Sequence, residues 1–384
     1  MTTVLHRTPS LPAVTGRTAT ALALLFLGSA FGPGPQPAAA APASPAVRCA
    51  PQVIMAGEEA TCSFQLPEPA TITATMEGPD GLPIATLANG QQRPAGTVSL
   101  TWNGRDDSGA PVPDEAYGVN IEFVWPDGST GRTAAWAQAT DSRLPVSLNV
   151  TEKEDSVLLS FTLPEPARVR ILAGIQNGGP LLRTILPGVP QAAGPHQLRW
   201  DGLDDTGHVQ VNALPGWGAT ITATPLPAGV VIVQGNGGDY LSYSKQQRGN
   251  AQAARTSQGT RHTVRGAGTP RFTVLGQPAG TRTAQGATPV RQPLAGEAPV
   301  PASGIFDLTV LIDKTYQDIF DQTRFETVIF IDGKRFDEEE NAFSPYTYRL
   351  DTRRLANGPH LVTINQVGLT GEIGSYSFTL DVRN

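Results

Sequence analysis

The chain has 384 residues, a formal net charge of −6 at pH 7 and only two cysteines. This length allows about two or three domains, and the small negative charge argues against a protein whose whole surface coats nucleic acid. The charge is uneven, because the stretch from Gln234 to Gly304 carries eight basic residues and two acidic ones.

The N-terminal residues 1–40 have the organisation of a secretory signal peptide. Two arginines precede an apolar run from Ala19 to Phe31, and small residues follow it. That order of regions predicts cleavage near Ala41, and the apolar run is too short to span a bilayer comfortably. An uncleaved anchor is the alternative. The mature chain is therefore expected to be secreted, either periplasmic or extracellular, without a transmembrane span.

The two cysteines, Cys49 and Cys62, fit an oxidising compartment, in which nearby thiols form disulfides. Strand alternation places Cys62 on the same face as Phe64 and Leu66, so it is expected to point into a core. We predict a Cys49–Cys62 disulfide, with two free buried thiols as the alternative. A metal site is disfavoured because no His or further Cys lies close in sequence.

A ten-residue stretch occurs twice, as LTWNGRDDSG from Leu100 to Gly109 and as LRWDGLDDTG from Leu198 to Gly207. Such a repetition indicates one supersecondary unit present in two copies. We call the two stretches the first and second signature. Besides the leucines with which they begin, they share Trp102, Gly104, Asp106, Asp107 and Gly109 in the first, and Trp200, Gly202, Asp204, Asp205 and Gly207 in the second.

Around each signature, short segments alternate polar and apolar residues and are separated by Gly, Pro and Asp turns. Examples are Thr71 to Met76 in the first unit and Arg168 to Ala173 in the second. This pattern predicts half-buried antiparallel strands, and neither unit contains a credible helix. Each unit is therefore expected to be a small β-sandwich.

The run Trp-Asp-Gly-x-Asp-Asp-x-Gly resembles the immunoglobulin-like domain of the flagellar hook-capping protein (FlgD-type). A Leu-Pro-x-Pro-Ala strand upstream and Val-Pro-Asp-x-x-Tyr downstream complete the resemblance. That domain also occurs in secreted and surface proteins unrelated to flagella. The resemblance implies an immunoglobulin-like fold and a role in interaction or assembly, not an enzymatic activity.

Residues 234–304 are dominated by Gly, Gln, Ala, Thr, Arg and Pro, which predicts a disordered, low-complexity basic linker. Two brief segments in it, Asp239 to Tyr243 and Arg271 to Leu275, have the composition of short docking strands. Contact of the arginines with nucleic acid or acidic polysaccharide is the alternative to a plain tether, but no aromatic stacking platform accompanies them.

The segment from residue 305 to 384 regains strong β patterning. Its Asp-Thr-x-x-Leu-x-Asn-Gly-x-His-x-Val pattern, from Asp351 to Val362, resembles bacterial immunoglobulin-like modules attached to secreted enzymes and adhesins. A third sandwich is expected here.

No catalytic constellation is recognisable in the sequence. The histidines are isolated, and the paired aspartates of each signature are expected to point apart rather than to form an acid–base dyad. Calcium binding by the signature oxygens is an alternative, although turn chemistry accounts for every Asp and Gly without a metal. Trp102 and Trp200 are interpreted as core anchors, with carbohydrate platforms as the alternative. We therefore expect no enzyme, no cofactor and no metal site.

The sequence predicts an all-β protein: tandem immunoglobulin-like β-sandwiches joined to a third by a disordered linker. The expected boundaries are 1–40 for the signal peptide, 46–146 and 147–233 for the first two sandwiches, 234–304 for the linker and 305–384 for the last sandwich. The expected function is non-catalytic: a secreted or envelope protein that presents these modules to a protein or glycan partner. An accessory module of a secreted enzyme system and a flagellar hook-assembly scaffold are the alternatives.

Overall fold

The computed structural model describes residues 44–252, 271–279, 292–294, 296, 298–314, 316, 325–368 and 373–384. The predicted signal peptide lies outside these residues. The described chain consists mainly of β-strands arranged in three sandwiches, which confirms the predicted all-β fold class. In the described residues, no helix is long and apolar enough to cross a membrane.

The first sandwich contains the disulfide. Its strands are β1 Arg48–Ala50, β2 Val53–Met55, β3 Ala60–Leu66, β4 Ala70–Glu77, β5 Pro83–Arg93, β6 Gly96–Trp102, β7 Glu115–Val124 and β8 Thr130–Ala134, and a 3-10 turn follows at Ala135–Gln138. One sheet has the order β1-β3-β6. In β3, Cys62, Phe64 and Leu66 are at most 3% exposed, as the alternation predicts. Cys49 and Cys62 are cross-strand partners and are bonded, which confirms the predicted disulfide.

The second sandwich is smaller and contains the second signature. Its strands are β9 Asn149–Lys153, β10 Ser156–Leu163, β11 Ala167–Ile175, β12 Leu181–Gln191, β13 Gly194–Trp200 and β14 Trp217–Pro225, with a 3-10 turn at Val211–Ala213. They form two three-stranded sheets, in the orders β13-β10-β9 and β12-β11-β14. Leu159, Phe161 and Leu163 of β10 are buried in its core, in the positions that Cys62, Phe64 and Leu66 occupy in the first sandwich.

The strand that follows the second sandwich, β15 Val230–Gln234, returns to the first one. It pairs antiparallel with β7 and parallel with β2, so the larger sheet of the first sandwich has the order β2-β15-β7-β4-β5, with β8 also on β7. The second sandwich is therefore an insertion in the first, and the predicted boundary at residue 233 is wrong. An apolar run of this kind predicts a strand covered on both faces, but its linear pattern does not say which sandwich receives it.

A helix, α1 Tyr240–Gln252, follows β15 and packs against the core of the first sandwich through Tyr240 and Tyr243. Asp239 caps it by accepting a hydrogen bond from the Ser242 amide, 2.8 Å away. The Tyr240 hydroxyl donates to Asp80 at 2.5 Å, and Arg248 forms an ion pair with the same carboxylate at 2.7 Å. The predicted strand from Asp239 to Tyr243 is therefore wrong. The segment is polar and has no amphipathic period, so its sequence does not predict a helix. The contacts of Asp239, Tyr240 and Arg248 hold the helix in place.

The third sandwich begins before the predicted residue 305. Its strands are β16 Phe272–Pro278, β17 Gln292–Pro293, β18 Val300–Ala302, β19 Ile305–Ile312, β20 Phe325–Ile331, β21 Lys334–Glu339, β22 Tyr346–Asp351, β23 Gly358–Gly368 and β24 Ile373–Val382, with a 3-10 turn at Thr352–Arg354. The two sheets have the orders β17-β16-β19-β22 and β18-β24-β23-β20-β21. The predicted strand from Arg271 to Leu275 lies within β16, where Phe272 and Val274 enter the core. The described parts of the interval 234–304 thus belong to the first and third sandwiches.

The sandwiches also contact each other directly. Between the first and second, Arg168 of β11 lies 2.6 Å from Glu115 of β7, and the two side chains are only 13% and 10% exposed. Between the second and third, the Asn365 side chain accepts a hydrogen bond from the Leu181 amide at 3.0 Å and donates one to the Leu181 carbonyl at 2.9 Å. The Asn365 amide group therefore pairs with Leu181 much as a neighbouring strand would.

Candidate functional site

Each signature forms a turn that is held by its tryptophan. Trp102 and Trp200 are 4% and 3% exposed. The indole N–H of Trp102 donates to the Arg105 carbonyl at 2.8 Å, and that of Trp200 donates to the Leu203 carbonyl at 2.9 Å. Both tryptophans thus lie in a core while their polar atom fixes the turn, which is the geometry of an anchor rather than of an exposed platform.

The first aspartate of each pair binds the backbone of its own turn. Asp106 accepts hydrogen bonds from the Ser108 and Ala110 amides, both at 3.0 Å. Burial disfavours its charged form, but the hydrogen bonds from Ser108 and Ala110 outweigh burial and leave the pKa of Asp106 below its usual value. In the second turn, Asp204 is fully buried and accepts from the His208 and Val209 amides, both at 3.0 Å.

The second aspartate of each pair points away from the first, toward the neighbouring strand. Asp107 accepts hydrogen bonds from the Thr86 amide at 2.7 Å and the Thr86 hydroxyl at 3.0 Å. Asp205 accepts from the Thr184 amide at 3.3 Å and lies 3.7 Å from Arg183. Burial raises the pKa of Asp205 to about 6, against the opposing effect of the Arg183 charge.

The glycines of the signatures meet a backbone requirement. All four, at 104, 109, 202 and 207, have φ between 71° and 84°, a region in which a Cβ is strained. Together with the aspartate hydrogen bonds, this accounts for the signature by turn chemistry. In the described residues, no cluster of three or more His, Cys, Asp or Glu side chains is placed to hold a metal ion.

The isolated histidines have local partners. His196 stacks on Phe161 at 5.0 Å and makes a 2.8 Å hydrogen bond with the Ala192 carbonyl oxygen. His360 makes a 2.7 Å hydrogen bond with Asp332, which raises the pKa of the imidazole. These contacts are those of residues that support a loop.

An open cleft of about 490 Å³ lies beside the second signature. Its lining contains four charged residues, two apolar residues and one serine: Asp155, Ser156, Arg183, Ile185, Arg199, Trp200 and Asp201. Arg183 donates to the Asp204 carbonyl at 3.1 Å, and its buried Nε lies 3.7 Å from Asp205. The Nε of Arg199 donates to the Ser156 hydroxyl, which also lines the cleft, at 3.0 Å. A guanidinium group carries five N–H donors, so each arginine has donors beyond these contacts.

These arginines are not part of the repeat. When Trp200 is aligned with Trp102, Arg199 takes the place of Thr101, and Arg183 takes the place of Ala85. The two units therefore share the turn and differ in the side chains around it. The residues that the copies share mark the turn and not the cleft, so the repeat does not point to Arg183 and Arg199. The sequence signal for these two arginines is that they stand at positions where the copies differ.

Comparison with known proteins gives one informative match. No curated protein matches the chain. Among solved structures, the fibronectin(III)-like modules of CbhA from Clostridium thermocellum match at 9% identity, with 88% of this chain and 94% of that chain covered, at a TM-score of 0.19. A structure of a 1.5-MDa bacterial ice-binding adhesin matches at 11% identity, with 89% and 98% covered, at a TM-score of 0.18.

A tetra-tandem repeat from the extending region of a large adhesion protein matches at 12% identity, covers 88% of this chain and 74% of that one, and has a TM-score of 0.17. TM-scores this low carry no argument about fold or function. The family comparison is specific: residues 51–124, which include the first signature, match the FlgD Ig-like domain, and the resemblance inferred from the sequence is confirmed over that range.

Proposed function

We propose that this protein is a non-catalytic interaction protein of the cell envelope or the extracellular space, and that the cleft beside the second signature contacts its partner. The signal-peptide pattern of residues 1–40 supports the location. The Ig-like domain matched over residues 51–124 supports an interaction role.

The observation that carries the proposal is the contrast between the two signatures. The residues that they share hold the turn, whereas the residues that differ place charge at an open cleft in the second copy. A duplicated unit that keeps its framework and changes one surface is typical of a binding module, since a fold is a scaffold on which sites are varied. Arg183 and Arg199 are the residues that distinguish this surface.

The charges at the cleft also limit the kind of partner. Two guanidinium groups provide donors and the carboxylates of Asp155 and Asp201 provide acceptors, so the positive and negative charges at the cleft are equal in number. Such a surface suits a partner rich in hydroxyl or amide groups, a glycan or a polypeptide, better than a polyanion.

A capture experiment tests this proposal. The mature chain, residues 41–384, is used to capture binding partners from envelope and culture-fluid fractions of its own organism. The R183Q/R199Q variant is expected to lose the captured partner, and R143Q, which removes an exposed arginine away from the cleft, is expected to keep it. Equal capture by all three proteins, with unchanged melting temperatures, would contradict a role for the cleft. Capture of a secreted enzyme would identify the protein as an accessory module of that enzyme.

A second candidate is a scaffold in flagellar hook assembly, which is supported by the match of residues 51–124 to the FlgD Ig-like domain. Deletion of the gene would then abolish swimming, and the protein would co-purify with hook structures. Normal motility of the deletion strain would remove this candidate.

A further inference from the structure

The sheet β13-β10-β9 of the second sandwich has a polar outer face. Leu159 and Phe161 of β10 point into the core, so the residues that alternate with them lie on the opposite side of the sheet. Cross-strand partners share a face, and Ser160 is paired with Asn149 of β9 and with Gln197 of β13. We call these three residues the amide row. The outer face as a whole, the β10 face, presents Asn149, Leu158, Ser160, Thr162, Gln197 and Arg199.

Two depressions lie on the β10 face. One is the cleft beside the second signature, whose lining includes Ser156 and Arg199. The other has a volume of about 330 Å³, and its lining includes the amide row. Ser156 and Ser160 are four residues apart on β10, which is about 13 Å along a strand, and Arg199 and Gln197 are successive outward residues of β13. The two depressions are therefore in line along the strands, as the binding of an extended ligand requires.

A ligand on the β10 face meets side chains rather than backbone hydrogen-bonding groups. β10 pairs with β13 over residues 157–163 and with β9 over residues 156–160, so between 157 and 160 its backbone is paired on both sides. A polypeptide strand adds to a sheet at an open edge, through unpaired backbone groups. The middle of this sheet does not offer that mode of binding.

The side chains of the β10 face differ from those of a protein–protein interface. Such interfaces are enriched in aromatic residues, and serine and threonine are rare among their energetically dominant contacts. The second depression combines Thr162 with the amide row, and although Phe161 also borders it, that ring is 4% exposed. Within the described part of the chain, no hydrogen bond engages the side chains of Thr162 and the amide row. Hydroxyl and amide groups both donate and accept, as the hydroxyl groups of a sugar do.

The β10 face also has balanced charge. The cleft has two arginines and two aspartates, and the described residues that line the second depression include no carboxylate, Lys or Arg. A polyanion is held by an excess of positive charge, which this surface lacks. Leu158 lies between Ser156 and Ser160 on the outer side of β10, and Pro195 borders the second depression. They place apolar surface among the polar groups, which suits the C–H face of a sugar ring.

The corresponding face of the first sandwich lacks these features. There, Ser63 of β3 is paired with Arg48 of β1 and with Ser99 of β6, in the positions of the amide row. Farther along the same strands, the Gln65 amide donates to the Thr97 hydroxyl at 2.6 Å, so these two groups satisfy each other. The first sandwich therefore has neither amide of the row and serves as an internal control.

We propose that the β10 face binds a neutral glycan chain, which extends from the cleft lined by Arg183 and Arg199 to the second depression at the amide row. Guanidinium and amide N–H groups donate to the sugar oxygens, and the side-chain oxygens of the row accept from sugar hydroxyls. This inference rests on the proposed function, because one end of the glycan occupies the same cleft. It deepens that function by naming the class of partner.

Calorimetric titration of the mature chain, residues 41–384, tests the class of ligand. The probes are four neutral hexasaccharides (cellohexaose, maltohexaose, mannohexaose and the hexamer of N-acetylglucosamine) and the polyanion polygalacturonate. Saturable binding of at least one hexasaccharide is expected, with binding of polygalacturonate weaker by about tenfold or more. Absence of binding by all four hexasaccharides would overturn the proposal, and so would tighter binding of polygalacturonate.

Two matched double variants test the place of binding. N149A/Q197A removes both amides of the row from exposed positions and is expected to weaken the bound hexasaccharide by about tenfold or more. R48A/S99A makes the corresponding change in the first sandwich and is expected to leave the affinity unchanged. Melting temperatures establish that both variants fold. Equal affinities of the two variants and the unmodified chain would overturn the proposal.

The same variants separate this inference from the proposed function. If R183Q/R199Q loses a captured protein and N149A/Q197A keeps it, the cleft contacts a polypeptide: the proposed function stands and the glycan inference is overturned. If hexasaccharide binding is lost in R183Q/R199Q and unchanged in N149A/Q197A, the ligand is confined to the cleft, which overturns the extended site. Loss of hexasaccharide binding in both variants is the expected result.

Discussion

Replacement of Trp200 is the most direct test of how the signature works. The side chain is 3% exposed and lies edge-on to Trp217, with ring centroids 6.0 Å apart. Trp200→Ala removes a large buried side chain and is expected to lower the free energy of unfolding of the second sandwich by about 3–5 kcal/mol. Trp200→Phe retains most of the apolar contact and leaves the Leu203 carbonyl without its donor, for an expected loss of about 1–2 kcal/mol.

Asp201 offers a control within the same turn. It is exposed, and its carboxylate accepts one hydrogen bond, from the Leu203 amide at 3.0 Å. Asp201→Ala is therefore expected to cost about 1 kcal/mol or less. The assay is unfolding in urea, monitored by hydrogen exchange at individual amides, so that the stability of the second sandwich is measured separately from that of the other two.

The order of effects decides between two roles for Trp200. If Trp200 is an anchor, Trp200→Ala lowers the free energy of unfolding much more than Trp200→Phe does, and both lower it more than Asp201→Ala. A loss below about 1 kcal/mol for Trp200→Ala would refute the anchor role, since that is less than truncation of a buried tryptophan costs. A variant of unchanged stability that no longer binds a captured glycan would favour a carbohydrate platform instead.

Two further predictions follow from the buried carboxylate and from the contact between the second and third sandwiches. Because the pKa of Asp205 is raised to about 6 in the folded protein, the folded state binds more protons than the unfolded state between about pH 4 and pH 6. Stability due to this group is therefore complete at the acidic end and is lost as the pH rises toward 6; D205N is expected to flatten that slope in thermal melts, and an unchanged slope would contradict the assignment. After cleavage at a protease site engineered within residues 253–270, the two fragments are expected to co-elute in gel filtration, because Asn365 and Leu181 hold the second and third sandwiches together. The N365A variant, which lacks these hydrogen bonds, is expected to co-elute less. Separate elution of the unmodified fragments would show that the contact does not hold the two sandwiches together.

The fold class, the duplicated unit and the disulfide could be predicted from the sequence because each depends on local pattern. Alternation at Cys62, Phe64 and Leu66 determines one buried face of a strand wherever that strand is placed. The signature likewise contains the amides that its first aspartate binds, so Asp106 and Asp204 each accept hydrogen bonds from the backbone of their own turn.

The partnership of β15, the docking of α1 and the cleft could not be predicted in this way. Val230 to Val233 read as a buried strand, but only the tertiary structure assigns them to the first sandwich rather than the second. The cleft depends on Arg183 and Arg199, which are 16 positions apart in the chain and share no motif. Local patterns specify which backbone states and which faces are favourable, whereas the choice of partner depends on the total surface buried among segments remote in sequence. For this protein the sequence by itself determined which kinds of modules form. The tertiary structure decided that the second sandwich is inserted in the first and that β15 completes a sheet of the first.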